Sequence, residues 1–167
     1  EMSASLVGSE MCIRDSNREI LAEFTWGMSR EDVRSLCTDA GLQFYVGGED
    51  DGINIEDSRY RCYFDETGGL SALTIQTGSS RDERFTVDET TLEEVQQIVT
   101  DAGGSLTLLT PAGDNPWEIW QYVDTVQGTI YWFTVFQGKV TVITEKQLTA
   151  ETFDGQQDYK SVLLMEN

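Results

Sequence analysis

The fold is decided by the stretch Thr91-Leu-Glu-Glu-Val-Gln-Gln-Ile-Val-Thr-Asp-Ala-Gly103, whose pattern also occurs earlier as Ser29-Arg-Glu-Asp-Val-Arg-Ser-Leu-Cys-Thr-Asp-Ala-Gly41. In both stretches a hydroxyl residue stands three positions before a carboxylate, which is the capping box of a helix start. Apolar residues then recur at helical spacing, and a glycine suited to a left-handed helix end follows. We therefore predict two amphipathic helices produced by internal duplication. The alternative is that two short helices converged on one pattern.

Strand patterns with a period of two follow each helix. They cover 43–46, 59–64 and 70–77 after the first helix, and 106–109, 117–123, 129–136 and 139–144 after the second. We predict an α+β fold of two tandem helix-plus-three-strand units, with an antiparallel sheet and the helices on one face. Residues 17–167 would form a single domain with repeats at 17–77 and 88–145 and a tail at 146–167. The polar stretch 78–90 is expected to link the repeats.

The turn before the first helix carries a resemblance to known families. Trp26-Gly-Met-Ser29 followed by Val33 resembles the opening of bacterial envelope domains, namely the beta-lactamase inhibitory protein and the small outer-membrane assembly lipoprotein (SmpA/OmlA-type) superfamily. The resemblance implies a helical segment followed by antiparallel strands, in tandem in the inhibitory protein, and an extracytoplasmic location. Thr38-Asp-Ala-Gly41 departs from the Leu-Gly-x-Pro ending expected there, and no partner-contact residue matches.

We interpret residues 1–16 as a segment that does not belong to the native protein. The stretch Leu6-Val-Gly-Ser-Glu-Met-Cys-Ile-Arg-Asp-Ser16 resembles a sequencing adapter translated in frame. We therefore expect a non-native leader at 1–16 and exclude it from the fold argument. A signal peptide upstream would then be lost, so the missing secretion signal does not decide the compartment.

The chain is strongly acidic, with 30 Asp and Glu against 11 Lys and Arg and a formal charge of −19. Nucleic acid and anionic lipid are also negatively charged, so we do not expect the chain to bind either of them directly. Three interpretations remain: a solubilising surface, a face for a basic protein partner, or mimicry of nucleic-acid charge. No apolar run reaches 18 residues, so we predict no transmembrane segment.

Several kinds of catalytic and metal site are disfavoured by composition. The chain has no histidine, which removes triads, Cys-His pairs and most zinc sites. A pair of carboxylates in a cleft is the remaining enzymatic option, and we predict no enzyme, no catalytic residue and no cofactor.

The acidic segment Glu49–Asp57 does not fit an EF-hand, because alignment on Gly52 puts Gly47 and Ser58 at the two essential ligand positions. Two interpretations of this segment remain: a cation site of another kind, or a solvated loop. Cys37 on the first helix and Cys62 on a strand could meet, either as buried free thiols or as a disulfide if the protein is exported.

Aromatic residues of the second unit supply the candidate binding site. Alternation puts Trp120 and Tyr122 on one face of their strand, and Tyr131 and Phe133 on one face of the next. One aromatic row should stand on the sheet face away from the helices, where exposed aromatics anchor protein interfaces. We predict a non-catalytic, secreted or envelope-associated module that binds a protein through this face. The alternative is an acidic cytosolic decoy or immunity-type protein that occupies a basic site.

Overall fold

A computed structural model describes residues 21–47, 51–56, 59–76 and 81–149 of the chain. The described residues include the helices α1 (Arg30–Asp39) and α2 (Leu92–Asp101), and residues 21–23 are also helical. The strands are β1 (Phe44–Gly47), β2 (Gly52–Ile55), β3 (Tyr60–Phe64), β4 (Leu70–Ile75), β5 (Leu106–Thr110), β6 (Glu118–Asp124), β7 (Thr129–Phe136) and β8 (Lys139–Gln147). The expected leader 1–16 and positions 150–167 of the expected tail lie outside the described residues. In the described part, no helix has the length and apolar character that crossing a membrane requires.

Both helices begin at the predicted residues, because a side-chain oxygen caps each one. Ser29 accepts a hydrogen bond from the backbone N–H three residues further on at 3.1 Å, and Thr91 does the same at 3.2 Å. The glycines that follow the helices have φ values of 72° at Gly41 and 76° at Gly103. A residue with a Cβ is strained in that conformation. The predicted starts and stops of the two helices are confirmed.

The strands form one antiparallel sheet in the order β1-β2-β3-β4-β8-β7-β6-β5. At its centre β4 pairs with β8, with Thr74 opposite Thr144 and Ile75 opposite Ile143. β8 therefore lies between β4 and β7, and β1 and β5 are the two edges.

The prediction of two tandem helix-plus-three-strand units is wrong, because eight strands share one large sheet with only a few short helices. The missed strand is β2, in the segment that the sequence analysis treats as a solvated loop or cation site. Ile53 and Ile55 are fully buried and Asn54 is 3% exposed. The Asn54 carboxamide accepts a hydrogen bond from Arg61 of β3 at 2.8 Å, which satisfies this buried polar group. The acidic residues on both sides of β2 made this inner strand look like a solvated loop in the sequence.

Both helices pack on the same face of the sheet. Val33 and Cys37 of α1 and Val95 and Val99 of α2 are at most 1% exposed, and they share one apolar cluster with inward side chains of the strands. The opposite face carries a second, smaller buried cluster, formed by Tyr63, Ala72, Ile119, Ile130 and Trp132. The centre of the sheet is therefore buried on both sides.

Candidate functional site

The aromatic residues predicted to bind a partner lie on the helix side of the sheet. β6 and β7 pair so that Tyr122 is opposite Tyr131 and Trp120 is opposite Phe133. Tyr122, Tyr131 and Phe133 are 4%, 1% and 0% exposed. Phe85, from the segment before α2, packs edge-on against these three rings at centroid distances from 4.8 to 6.4 Å. Their predicted position on a free face is wrong, because this row is part of the main core.

Trp120 differs from the other three because it is only partly buried. It lies opposite Leu108 of β5, which is 39% exposed. Its indole Nε1 is buried and has no hydrogen-bond acceptor among the described residues. Leu106, two residues before Leu108 on the same strand, is also partly exposed. Leu106, Leu108 and Trp120 form what we call the edge patch, where the core reaches the surface.

The large apolar side chains that are exposed in the described part of the chain lie mostly along the rims of the sheet. Tyr45 and Val46 of edge strand β1 are 53% and 38% exposed, and Trp117, just before β6, is 43% exposed. Leu108 belongs to the other edge strand. Val126 is 94% exposed in the turn between β6 and β7, where a single exposed apolar residue needs no explanation. Several exposed apolar residues along edge strands are typical of a contact surface.

A partly buried group of charged residues, which we call the ion-pair cluster, consists of Arg81, Asp82, Arg84, Asp124 and Glu145. Nη2 of Arg84 lies 2.7 Å from Asp82 and 2.8 Å from Asp124. Nη1 of Arg81 lies 2.9 Å from Glu145. The cluster therefore fixes the connection between β4 and α2 onto β6 and β8.

Arg81 also holds the segment that precedes α1. Its Nε donates to the carbonyl of Phe24 at 3.0 Å, and its guanidinium lies 4.8 Å from the centroid of the Trp26 ring. Trp26 in turn donates from Nε1 to the hydroxyl of Thr129 on β7 at 2.9 Å. One arginine thus connects the first described segment, the central connection and the sheet.

Two carboxyl groups of the ion-pair cluster, Glu145 and Asp82, have pKa values shifted in opposite directions. Burial raises the pKa of Glu145 to about 7, and the charge of Asp82 adds to the rise while Arg81 opposes it. Burial also tends to raise the pKa of Asp82, but hydrogen bonds from Arg84 and Tyr131 outweigh it, so that pKa lies below its ordinary value. The Tyr131 hydroxyl donates to Asp82 at 2.9 Å, and burial followed by the nearby negative charges raises the pKa of Tyr131.

Two carboxyl groups with separated pKa values also occur in acid–base catalysis, but the geometry here favours a structural role. A groove of about 400 Å³ adjoins the cluster and is lined by Ala22, Arg81, Asp82, Glu83, Arg84 and Gln127. Glu145 is not in this lining and is 1% exposed. The group with the raised pKa therefore does not reach the groove, and both arginines are already bound to carboxylates. We therefore assign a structural role to the ion-pair cluster.

The two described cysteines are both buried and free, which matches the free-thiol alternative. Burial raises the pKa of Cys37 to about 11 and raises that of Cys62 as well, so neither thiol is activated as a nucleophile. Across the described ranges, no three His, Cys, Asp or Glu side chains are grouped to hold a metal ion. Of the acidic segment 49–57, positions 49, 50 and 57 lie outside those ranges.

Comparison with known proteins gives little further information. No family model matches the chain, and a search of the curated proteins finds no match. Among solved structures, the chain is similar to YjgB, a DUF4309 family protein from Bacillus subtilis. The identity is 15% and the TM-score is 0.42, over 71% of this chain and 78% of that chain. No catalytic family is indicated, and a likeness this distant says nothing about function.

Sequence reasoning missed the ion-pair cluster because it treated 78–90 as a polar link. A signal was present in the composition. Arg81 and Arg84 are two of only 11 basic residues in a chain with 30 acidic ones, and Arg84 directly precedes the aromatic Phe85. Closely spaced arginines beside an aromatic residue in so acidic a chain indicate carboxylate partners.

Proposed function

We propose that the chain is a non-catalytic, extracytoplasmic or envelope-associated module that binds a protein partner through an edge of its sheet. The observation that carries this proposal is the placement of exposed apolar residues along the edge strands, with Tyr45 and Val46 on β1 and Leu108 on β5. Because the predicted aromatic row is buried, we propose a contact surface at the edges of the sheet instead of on one of its faces. The extracytoplasmic location is supported by the resemblance of the turn before α1 to envelope domains.

Sheet edges suit protein binding because their outward N–H and C=O groups are not used within the sheet. An added strand satisfies these groups, while pockets for alternate side chains provide specificity. The edge patch offers such apolar surface next to the backbone of β5. A non-catalytic function is supported by the ion-pair cluster, because its charged groups bind one another and Glu145, the carboxyl group whose pKa is raised, does not line the groove.

Site-specific photo-crosslinking tests the proposal. Benzoylphenylalanine is placed at Leu108 or at Tyr45 in the full chain, and at Val126 as a control that is apolar and 94% exposed but lies in a turn. After irradiation in the cells that produce the protein, we expect a discrete protein adduct from at least one edge position and none from Val126. If neither edge position gives an adduct, or Val126 gives the same one, edge binding is wrong.

Ionic strength separates this proposal from the acidic decoy. Apolar and backbone contacts persist at about 1 M salt, where the Debye length is about 3 Å, whereas binding driven by the charge of the whole surface does not. An adduct that disappears at high salt would favour a decoy that occupies a basic site on its target.

A further inference from the structure

We infer that the sheet face opposite the helices, which we call the far face, is a docking surface for residues 150–167 of the same chain. The surface consists of the second buried cluster together with two cations beside it. Its occupant would be an intramolecular cover that closes the far face to other molecules.

The far face is buried, although the described residues supply no layer that packs on it. Tyr63 and Trp132 are both 0% exposed. Side chains on one face of a sheet are shielded from water when another layer packs against that face. Both helices pack on the opposite side, and so does the connection between β4 and α2 through Phe85. The cover of the far face must therefore come from outside the described ranges.

The path of the chain favours residues 150–167 as this cover. The internal gaps between described ranges are too short to cover several strands: 48–50, 57–58 and 77–80. At the other end of the chain, Leu21 is fully buried in the helix-side cluster, so the segment before it leads to the wrong face. Leu148, directly after β8, packs against the far-face cluster. Residues 150–167 therefore start beside the surface that we propose they cover.

The segment is long enough to cover the whole cluster. The cluster extends from Tyr63 on β3 to Ile119 on β6, with β4, β8 and β7 between them. Neighbouring strands lie about 4.8 Å apart, so the distance across these strands is roughly 19 Å. Residues 150–167 would span about 27 Å even at the short rise of a helix.

The sequence of the segment supplies the apolar surface that such a cover needs. Val162-Leu-Leu-Met165 is a run of four apolar residues, and Phe153 and Tyr159 precede it. Exposure of such a run to water is unfavourable, and packing against the rings of Tyr63 and Trp132 would remove it from water.

The charges of the two surfaces are also complementary. Arg61 and Lys146 are on the far face, because they alternate or pair with members of its cluster. The acidic residues within the described strands are all on the helix side: Glu118, Asp124 and Glu145. Residues 150–167 contain four acidic residues and one lysine. An acidic segment is therefore attracted to the one face of the sheet whose strand charges are positive.

A second copy of the chain and a separate acidic protein are the alternative occupants. The far-face side chains are buried in a single chain, which favours a segment of that chain over both. A segment joined directly to β8 also has a high effective concentration at the far face, which a separate molecule lacks. With the far face covered, the sheet would be open to a partner only at its edges.

Solvent access to Trp132 tests the inference on the full chain. The four tryptophans are replaced by fluorotryptophan, and the fluorine signal of Trp132 is assigned with Trp132→Phe. A soluble gadolinium chelate broadens the signals of exposed rings. We expect the signal of Trp132 to stay sharp and that of Trp117, which is 43% exposed, to broaden.

Two triple variants with changes in the same segment identify the cover. The test variant removes the apolar run by Val162→Ser, Leu163→Ser and Leu164→Ser. Its control changes three polar residues by Thr152→Ser, Gln156→Ser and Gln157→Ser. We expect the chelate to broaden Trp132 as strongly as Trp117 in the test variant and to leave Trp132 sharp in the control. The signal of Trp26, which lies on the helix side, should keep its position and report an intact fold.

Three results of the chelate experiment would overturn the inference. They are broadening of Trp132 in the unchanged protein, continued protection of Trp132 in a folded test variant, and protection that is lost on dilution. The last result would mean that a second copy is the cover.

Photo-crosslinking decides the question if the test variant does not fold. Benzoylphenylalanine is placed at Leu163 in the otherwise unchanged chain, and at the exposed Gln97 of α2 as a control. Mass spectrometry maps the adducts. We expect position 163 to crosslink within one chain to β3, β4, β6 or β7, and position 97 to give no such adduct. Adducts of position 163 to α1 or α2, adducts between two chains, or no adduct would overturn the inference.

Discussion

The carboxyl group of Glu145 should make the protein less stable as the pH rises from 5 to 8. Glu145 is on β8, where it lies opposite Leu73 of β4 and Tyr131 of β7, and it is 1% exposed. Burial raises its pKa from 4.5 to about 7 despite the ion pair with Arg81. The perturbation is Glu145→Gln, which keeps the size and the acceptor oxygen and removes the titration.

The sign and size of the effect follow from the raised pKa. The folded state holds the Glu145 proton more tightly than the unfolded chain does, so this contribution to stability is full below pH 4.5 and is lost as the pH rises through about 7. A shift from 4.5 to about 7 corresponds to about 3 kcal/mol of unfolding free energy. The protein has no histidine, the side chain whose ordinary pKa lies inside this window. Asp65 and Asp82, whose pKa values are lowered, act only at lower pH.

The assay is urea unfolding followed by tryptophan fluorescence at several pH values from 5 to 8. We expect the unfolding free energy of the wild type to fall by up to about 3 kcal/mol across this range, and that of Glu145→Gln to stay nearly level. Glu83→Gln is the control, because Glu83 is an exposed neighbour in the same segment and its removal should leave the wild-type slope. A flat wild-type profile, or a Glu145→Gln profile with the full slope, would refute the reasoning.

Two further predictions concern packing. A Cβ on Gly104 would lie 2.6 Å from the ring of buried Tyr122, whereas one on Gly113 meets nothing within 4 Å. Gly104→Ala should therefore cost about 1–3 kcal/mol in thermal unfolding and Gly113→Ala should be near neutral; equal melting temperatures would contradict this. Trp132 donates from Nε1 to a β6 glutamine at 2.9 Å, while Nε1 of Trp120 has no acceptor among the described residues. In urea unfolding, Trp132→Phe should cost about 1 kcal/mol more than Trp120→Phe, and the reverse order would exclude this account.

The local parts of the fold follow from the sequence, because they depend on neighbours along the chain. The caps at Ser29 and Thr91 lie where the capping boxes predict them. The strand patterns at 59–64, 70–77 and 129–136 also coincide closely with β3, β4 and β7. Capping and alternation are set within a few residues, so they can be recognised without knowledge of the partner strands.

The arrangement of the sheet and the choice of its inner face depend on contacts between distant residues. Alternation correctly puts Tyr131 and Phe133 on the same side of their strand. It does not say that Phe85, far away in the sequence, covers them. In the same way Asn54 is tolerated in the buried strand β2 because Arg61 supplies its hydrogen bond. The missed strand and the misplaced aromatic row thus share one cause, a long-range partner that local patterns do not contain.

The position of Glu145 has a further consequence for the register of the central strand. A buried ion pair is seldom the most stabilising choice at a core position, and its best-attested use is to specify one arrangement over others. β8 lies between β4 and β7, and Glu145 points to the helix side, where Arg81 is. A slip of β8 by one residue would turn Glu145 to the opposite face and bring Thr144 or Lys146 to the helix side. Arg81 would then lose its carboxylate, and Lys146 would put a second cation beside it. The buried carboxylate therefore lowers the stability of the fold at neutral pH, but it also specifies one register for the strand that connects the two halves of the sheet.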